Sequence, residues 1–312
     1  MRTDLPTNSR KLRRALRPLR GVLTLAGAGT RMLPWSRGLR KEFLPLYDRG
    51  HDGSPVLKPL AHLVLETLTS AGVSDVTLVV QPTDLALVRN YFTVDPSFLE
   101  QHRQHPERLV ETREFYRRLV DLRIRYALQP RPTGFGDAVL RSEPRLGGAP
   151  FLLHASDALL LEPARGTLPH GMGELLRRES LDAVLLVRRV PDARRYGVVV
   201  GREVARYRSW RRLDVSGMEE KPTHPRSHWA ATAVYAFAPT VFDALRSARR
   251  KAPRGSELEL THGIADLLAG GGRVAALVLE PADAWRSVGS PDGFYRALRA
   301  TYGQLSGARP KA

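Results

Sequence analysis

Leu25-Ala26-Gly27-Ala28-Gly29-Thr30-Arg31-Met32-Leu33-Pro34 follows a short apolar run, Gly21 to Leu25, and leads into Arg40-Lys41-Glu42-Phe43-Leu44-Pro45-Leu46. The apolar run reads as a buried strand, and the two glycines just after it let the backbone turn sharply and present bare N–H groups to an anion. In outline this is a phosphate-binding loop. It is not a dinucleotide fingerprint, because Met32 stands where the third glycine belongs and Pro34 blocks the helix that would open there. Nor is it a P-loop, since no Gly-Lys-Ser/Thr follows at the required spacing. What remains is a glycine turn backed by the guanidinium of Arg31 and the ammonium of Lys41, fixed charges suited to a triphosphate.

Downstream the chain alternates strand and helix. Asp48 to Ser54 reads as a surface excursion, and the spacing of Leu57, Leu60, Val64, Leu65 and Leu68 predicts a helix from Val56, with Ser54 as its cap and Gly72 as its stop. Val76–Val80 is then a buried strand, Thr83–Tyr91 a helix, Pro96–Asp121 a helical excursion and Leu122–Leu128 a strand. Strand, loop, helix, strand is how a parallel sheet with right-handed crossovers is built. Further strands are expected at Pro150–Ala155, Ala183–Val187, Tyr196–Val200, Ala230–Ala238 and Val274–Leu279, with helices at Leu260–Leu268 and Pro291–Tyr302. No internal repeat is visible.

Several residues stand where such a sheet places ligands. Gln129 and Gly134 follow a strand and can read a nucleobase edge, one by its amide and one by exposed backbone. Asp157, just past Pro150–Ala155, points into the crevice at the strand ends, where a carboxylate suits a divalent cation bound to phosphates. Taken alone, each is also an ordinary turn residue.

Gly-x-Gly-Thr-Arg-Met-x-Pro followed by Lys-Glu-Phe-Leu-Pro-Leu resembles the signature of the sugar-1-phosphate nucleotidyltransferases, and within them is most similar to the bacterial UTP–glucose-1-phosphate uridylyltransferases. The similarity continues through Gln129-Pro130 to Gly134, Asp157, Tyr196-Gly197-Val198, Glu220-Lys221-Pro222 and Glu257-Leu258-Glu259-Leu260-Thr261. It implies an α/β fold with a Rossmann-like, mixed and mainly parallel central sheet flanked by helices, in a dimer or tetramer. A nucleotide-binding half would span about 21–157 and a sugar-phosphate-binding half about 158–304. The implied reaction joins UTP and glucose 1-phosphate into UDP-glucose and pyrophosphate with Mg²⁺. In it Arg31 and Lys41 would be catalytic, Ala26, Gly27, Gly29, Gln129 and Gly134 would bind nucleotide, Gly197, Glu220 and Lys221 would bind the sugar phosphate, and Asp157 would hold the metal.

The chain departs from the family at three places. Asp137 stands for a usual histidine, His262 for a usual aspartate, and Ser287 for the aspartate that supplies the second metal carboxylate. Asp283 and Asp292 are the candidates to replace it. These departures keep alternatives open: a thymidylyltransferase of the same mechanism, or a relative that binds nucleotide as a sensor or partner subunit and catalyses poorly.

With 312 residues and 42% apolar content the chain can bury a full core. With no cysteine it has no disulfide framework, thiolate metal site or cysteine nucleophile. No apolar run approaches the roughly 20 residues that cross a bilayer. The net charge of +17 fits nucleic-acid binding in sign, yet arginine is spread along the chain and no nucleic-acid-binding motif is present. The basic cluster within residues 1–20 is read as a solvated arm and 305–312 as a loose tail. A signal-peptide reading of the arm would remove the phosphate loop by cleavage, so a cytoplasmic protein is expected.

Overall fold

The computed structural model describes residues 17–280 and 284–305. Its centre is β1 (Arg20–Thr24), which pairs in parallel with β4 (Asp75–Val80) on one side and β6 (Phe151–Ala155) on the other. β5 (Arg123–Leu128) extends the sheet in parallel beyond β4. Past β6 come antiparallel β11 (Trp229–Phe237), then β8 (Ala183–Arg189), β12 (Val274–Val278), β10 (Trp210–Glu220) and β9 (Gly197–Tyr207). Only β11 and β10 run against the other strands of this nine-stranded sheet, which is the mixed, mainly parallel architecture expected.

The strands are apolar on both faces because both faces are covered. Val22, Leu153 and Leu185 turn to one core, shared with α5 (Phe135–Leu146), α7 (Thr240–Lys251) and α8 (Leu260–Ala269). Their neighbours Leu23, Leu152 and Leu186 turn to the other, shared with α1 (Leu60–Ser70), α4 (Val110–Val120), α6 (Thr167–Arg178) and α9 (Pro291–Leu305). This period of two is what a strand's pleat imposes. The short helices α2 (Leu85–Tyr91) and α3 (Pro96–Gln101) lie in the segment between β4 and α4.

Two small antiparallel pairs complete the fold. β2 (Pro45–Arg49) pairs with β3 (Pro55–Pro59), and β7 (Ala158–Leu161) with β13 (Ala284–Ser287). β3 corrects the sequence reading, in which a helix began at Val56. Lys58 precedes Pro59, and a residue before proline is driven out of helical into extended geometry, so the helix opens only at Leu60. The hairpin of β9 and β10 was not expected at its full length, eleven residues in each strand. At the ends, Arg20 is the first residue of β1 rather than the last of a free arm, and Leu305 is the last of α9. Residues 1–16, 281–283 and 306–312, including Asp283, lie outside the described residues. Among the described residues no helix is long and apolar enough to cross a membrane.

Candidate active site

β1, β5 and β6 end on the same side of the sheet, and Thr24 lies opposite Ala155 in the register. The loop after β1 therefore leaves the sheet beside Ser156 and Asp157, with Gln129 two strands away. Gly29 takes a left-handed conformation, φ +66°, that favours glycine, and Ser36 Oγ donates to its carbonyl at 2.8 Å. Gln81 donates to the Ala26 carbonyl at 2.9 Å and Arg40 to that of Gly27 at 3.2 Å. With these carbonyls spent inside the protein, the amides are the loop's polar groups for an anion.

Ala26, Gly27, Gly29, Arg31, Lys41, Gln129, Gly134 and Asp157 all line one cavity of about 430 Å³. Lys41 Nζ lies 2.9 Å from Asp157 Oδ2 and 4.0 Å from Glu42 Oε1. Burial works to lower the Lys41 ammonium, but Asp157 and Glu42 outweigh it and hold Lys41 above its ordinary value. Asp157 stays below the usual carboxylate range, because Lys41 and Arg31 outweigh its own desolvation. The site thus carries a permanent cation and a permanent anion in contact.

Glu42 was not singled out by sequence reasoning. It is 1% exposed, its Oε2 has no hydrogen-bond partner among the described residues, and burial pushes it up to about 7 despite Lys41. Only its neighbours in space make it unusual, and sequence gives no signal of those. Gly289 was also without an assigned role. A Cβ there would lie 2.8 Å from Arg31 Nη2 and 3.4 Å from both Asp157 Oδ2 and Ser287 Oγ, so the three side chains converge on the space this glycine leaves. Ala233 joins the cavity from an irregularity in β11, at φ +61°.

Ser287 does occupy the place beside Asp157. It sits opposite Ala158 in the β13–β7 register, and Val288 N donates to the Asp157 carbonyl at 2.8 Å. The position supplies a hydroxyl rather than a carboxylate. Asp292 does not replace it: it ion-pairs with Arg296 at 2.7 Å and lines a neighbouring cavity.

At the other end of the site, Gln129 is buried and its orientation is forced. Nε2 donates to Asp137 Oδ2 at 2.9 Å and to the Gly134 carbonyl at 3.1 Å, and both of those oxygens can only accept. Asp137 also accepts from Thr133 and Arg249, and these partners outweigh burial to keep it ionised. The Gln129 Oε1 is thereby left as an acceptor. Gly134, at φ +108°, packs so tightly that a Cβ would meet the Leu258 carbonyl oxygen at 2.4 Å.

Gly197, Glu220 and Lys221 form a second cluster outside that cavity's lining. Gly197 and Glu220 face each other where β9 begins and β10 ends. Glu220 binds Lys221 Nζ at 2.8 Å and accepts from Thr261 Oγ1 at 2.9 Å, while Lys221 N donates to the Tyr196 carbonyl. Glu259, which lines the main cavity, is raised first by burial and then by the charge of Glu220, so the cluster adjoins the cavity. His262 is exposed in the first turn of α8.

The glycine loop, the Lys–Asp pair and the buried amide lie together at the carboxyl ends of neighbouring parallel strands, where open α/β sheets place their ligands. The chain belongs to the nucleotidyl transferase family, whose model matches residues 20–303. A Bacillus subtilis protein provisionally named UTP–glucose-1-phosphate uridylyltransferase is 28% identical over 256 residues, covering 78% of this chain and 84% of that protein. The glucose-1-phosphate thymidylyltransferase of Mycolicibacterium smegmatis is 27% identical over 301 residues, covering 93% and 86%. A crystal structure of apo UDP-glucose pyrophosphorylase matches with a TM-score of 0.78 at 23% identity, over 92% of this chain and 99% of that one. A UDP-glucose complex of a UDP-glucose pyrophosphorylase gives 0.76 at 22%, over 92% and 100%. At those identities the likeness to solved structures is one of fold.

Proposed function

We propose that this nucleotidyltransferase moves a uridylyl group from UTP to a sugar 1-phosphate, with glucose 1-phosphate as the parent acceptor, giving UDP-glucose and pyrophosphate. The observation that carries the reading is the Lys41–Asp157 pair, at 2.9 Å, set at the mouth of the glycine loop with Arg31 converging on it. The acceptor's phosphate oxygen is already anionic at neutral pH and needs no general base. It attacks the α-phosphorus in line, forming one P–O bond as the bond to the β-phosphate breaks, and pyrophosphate leaves. Catalysis then rests on positioning and on neutralising charge. Arg31 and Lys41 hold the α-phosphate and the departing pyrophosphate. Lys221 holds the acceptor phosphate, while Glu220 and the backbone at Gly197 take sugar hydroxyls. The amides of Ala26, Gly27 and Gly29 take phosphate oxygens of the nucleotide.

The donor set suits Mg²⁺, which is commonly held by one or two carboxylates together with substrate phosphates. Asp157 supplies a carboxylate, with the Ser287 hydroxyl beside it, and the buried Glu42 lines the same cavity as Asp157. When bound, the ion would neutralise phosphate charge as it develops in the transition state. For the base, Gln129 Oε1 is left to accept a hydrogen bond while Nε2 is committed to Asp137. That favours a pyrimidine with an N3–H, uracil or thymine, over cytosine. The thymidylyltransferase relatives support dTTP as the second reading.

The test is pyrophosphate release from the purified protein with Mg²⁺, glucose 1-phosphate and each nucleoside triphosphate in turn. Release with UTP at roughly one per second or faster establishes the uridylyl reading, and release with dTTP alone moves the donor. Lys41→Ala is expected to lower kcat/KM by about 10²–10³ while the circular dichroism spectrum is retained. Near-wild-type turnover in that variant would contradict the role given to Lys41.

A further inference from the structure

A second cavity, of about 730 Å³, adjoins the first and is lined by Arg31, Arg188, Arg195, Arg286, Arg296 and Arg299. Among its described lining residues the one carboxylate is Asp292, already paired with Arg296 at 2.7 Å. Elsewhere arginines meet carboxylates, as Arg125 meets Asp75 at 3.0 Å and Arg212 meets Glu179 at 2.7 Å. Here Arg296 meets Asp292 and Arg195 acts on Asp192, whereas Arg188 and Arg299 lie over aromatic rings. The Arg188 guanidinium lies 4.5 Å from the centre of the Trp285 ring and 5.7 Å from that of Tyr196. Trp285 is pinned by its Nε1, which donates to the Thr232 carbonyl at 2.8 Å. Arg286 donates to the Trp285 carbonyl at 3.0 Å and is half-buried. Burial, then Arg188 and Arg296, hold it below the usual guanidinium range. Ring faces attract these cations but leave their charge standing. Gathering so many guanidiniums in one hollow costs repulsion, and each fork is shaped for carboxylate or phosphate.

The cavity adjoins the proposed site of transfer. Arg31 lines both hollows, and Ser287, beside Asp157, lines this one. Tyr196 lines it as well, and its carbonyl accepts from the backbone N–H of Lys221. An acceptor whose 1-phosphate sits at Lys221, poised to attack the α-phosphate at Arg31, therefore has this basic hollow next to its sugar.

We propose that the preferred acceptor is a sugar 1-phosphate bearing a second anionic group, a carboxylate or a phosphate, which Arg188, Arg195 and Arg286 bind. The inference rests on the transfer reading and narrows its acceptor. Glucose 1-phosphate is the uncharged-ring parent of that class, and the arginines add recognition only when a second charge is present.

The experiment compares glucose 1-phosphate, glucuronate 1-phosphate and glucose 1,6-bisphosphate as acceptors with UTP and Mg²⁺, using the full chain, Arg286→Leu and Arg195→Gln. Arg195 is exposed, so its variant keeps the test decisive if Arg286→Leu does not fold. At least one charged-ring acceptor should exceed glucose 1-phosphate in kcat/KM by about tenfold or more. Which one does so separates carboxylate from phosphate. The ratio should fall about tenfold in Arg286→Leu and several-fold in Arg195→Gln. Equal kcat/KM for all three acceptors, or a preference that survives both substitutions, overturns the proposal and leaves the transfer reading standing. So does a rise in the KM for UTP alone, which would assign the cavity to the nucleotide's phosphates. If no acceptor releases pyrophosphate, the transfer reading fails, and calorimetric titration with glucuronate 1-phosphate and glucose 1,6-bisphosphate decides the cavity. Binding weakened about tenfold in Arg286→Leu supports it, and unchanged binding or none refutes it.

Discussion

Replacing Glu42 with glutamine should make the protein progressively more stable relative to wild type as pH rises, because the wild-type chain buries a charge there. Glu42 is 1% exposed, and desolvation raises its carboxyl from an ordinary 4.5 to about 7, only partly offset by Lys41. Below about pH 4.5 the group is protonated folded and unfolded, and it costs nothing. Between 4.5 and 7 the folded chain keeps a proton that the unfolded chain has released, so stability falls as pH rises. Above 7 the carboxylate is ionised in both states and the loss is complete. At about 1.4 kcal/mol per pH unit the full penalty is about 3 kcal/mol. Glutamine does not titrate, and whatever it costs in packing or hydrogen bonding is the same at every pH. Urea unfolding of both proteins at pH 5 and pH 8 therefore isolates the effect. The stability of Glu42→Gln relative to wild type should rise by about 2–3 kcal/mol between the two. A difference constant to within about 0.5 kcal/mol would mean that Glu42 ionises normally, and the account of its burial against Lys41 and Asp157 would be wrong.

Two more outcomes follow from the base end of the site. Gly134→Ala places a methyl 2.4 Å from the Leu258 carbonyl oxygen at a backbone φ of +108°; a loss of about 3 kcal/mol or more in urea is expected, and one under about 1 kcal/mol would show that the α5 entrance can shift. Asp137→Asn gives Gln129 a neighbour that can donate as well as accept, leaving only the Gly134 carbonyl at 3.1 Å to hold the amide in place. The kcat/KM preference for UTP over CTP should shrink by about tenfold or more, and an unchanged ratio would show that Asp137 does not orient Gln129.

Much of this was legible because it is local. The strand before Leu25, the glycine turn and Lys41 all fall within one stretch from Gly21 to Lys41, and the strand-end positions of Gln129 and Asp157 follow from the apolar runs before them. The nucleotidyltransferase family and its sheet were readable from that order. The unread parts are those in which distant residues meet. β3 hid inside a helical spacing because apolar residues that suit a helix also suit a hairpin strand. The β9–β10 hairpin hid because much of it faces outward and carries arginine and glutamate, without the apolar pattern of a buried strand. Ser287 was noticed through the resemblance alone, and only the β13–β7 register puts it beside Asp157.

Charge shows the same division between what composition carries and what the fold adds. A net charge of +17 spread along the chain gives the sign of a partner but not its size or place, and the dense basic arm near the start drew attention toward nucleic acid. The fold takes Arg188 from the end of β8, Arg195 from the loop before β9, Arg286 from β13 and two more from α9, and sets them around one hollow beside Arg31. These come from two stretches far apart in sequence, β8 with the loop after it and β13 with α9. A hollow of about 730 Å³ holds a small molecule rather than a polymer backbone. The part of the excess charge that lines this hollow therefore fits a compact anion rather than a nucleic-acid backbone.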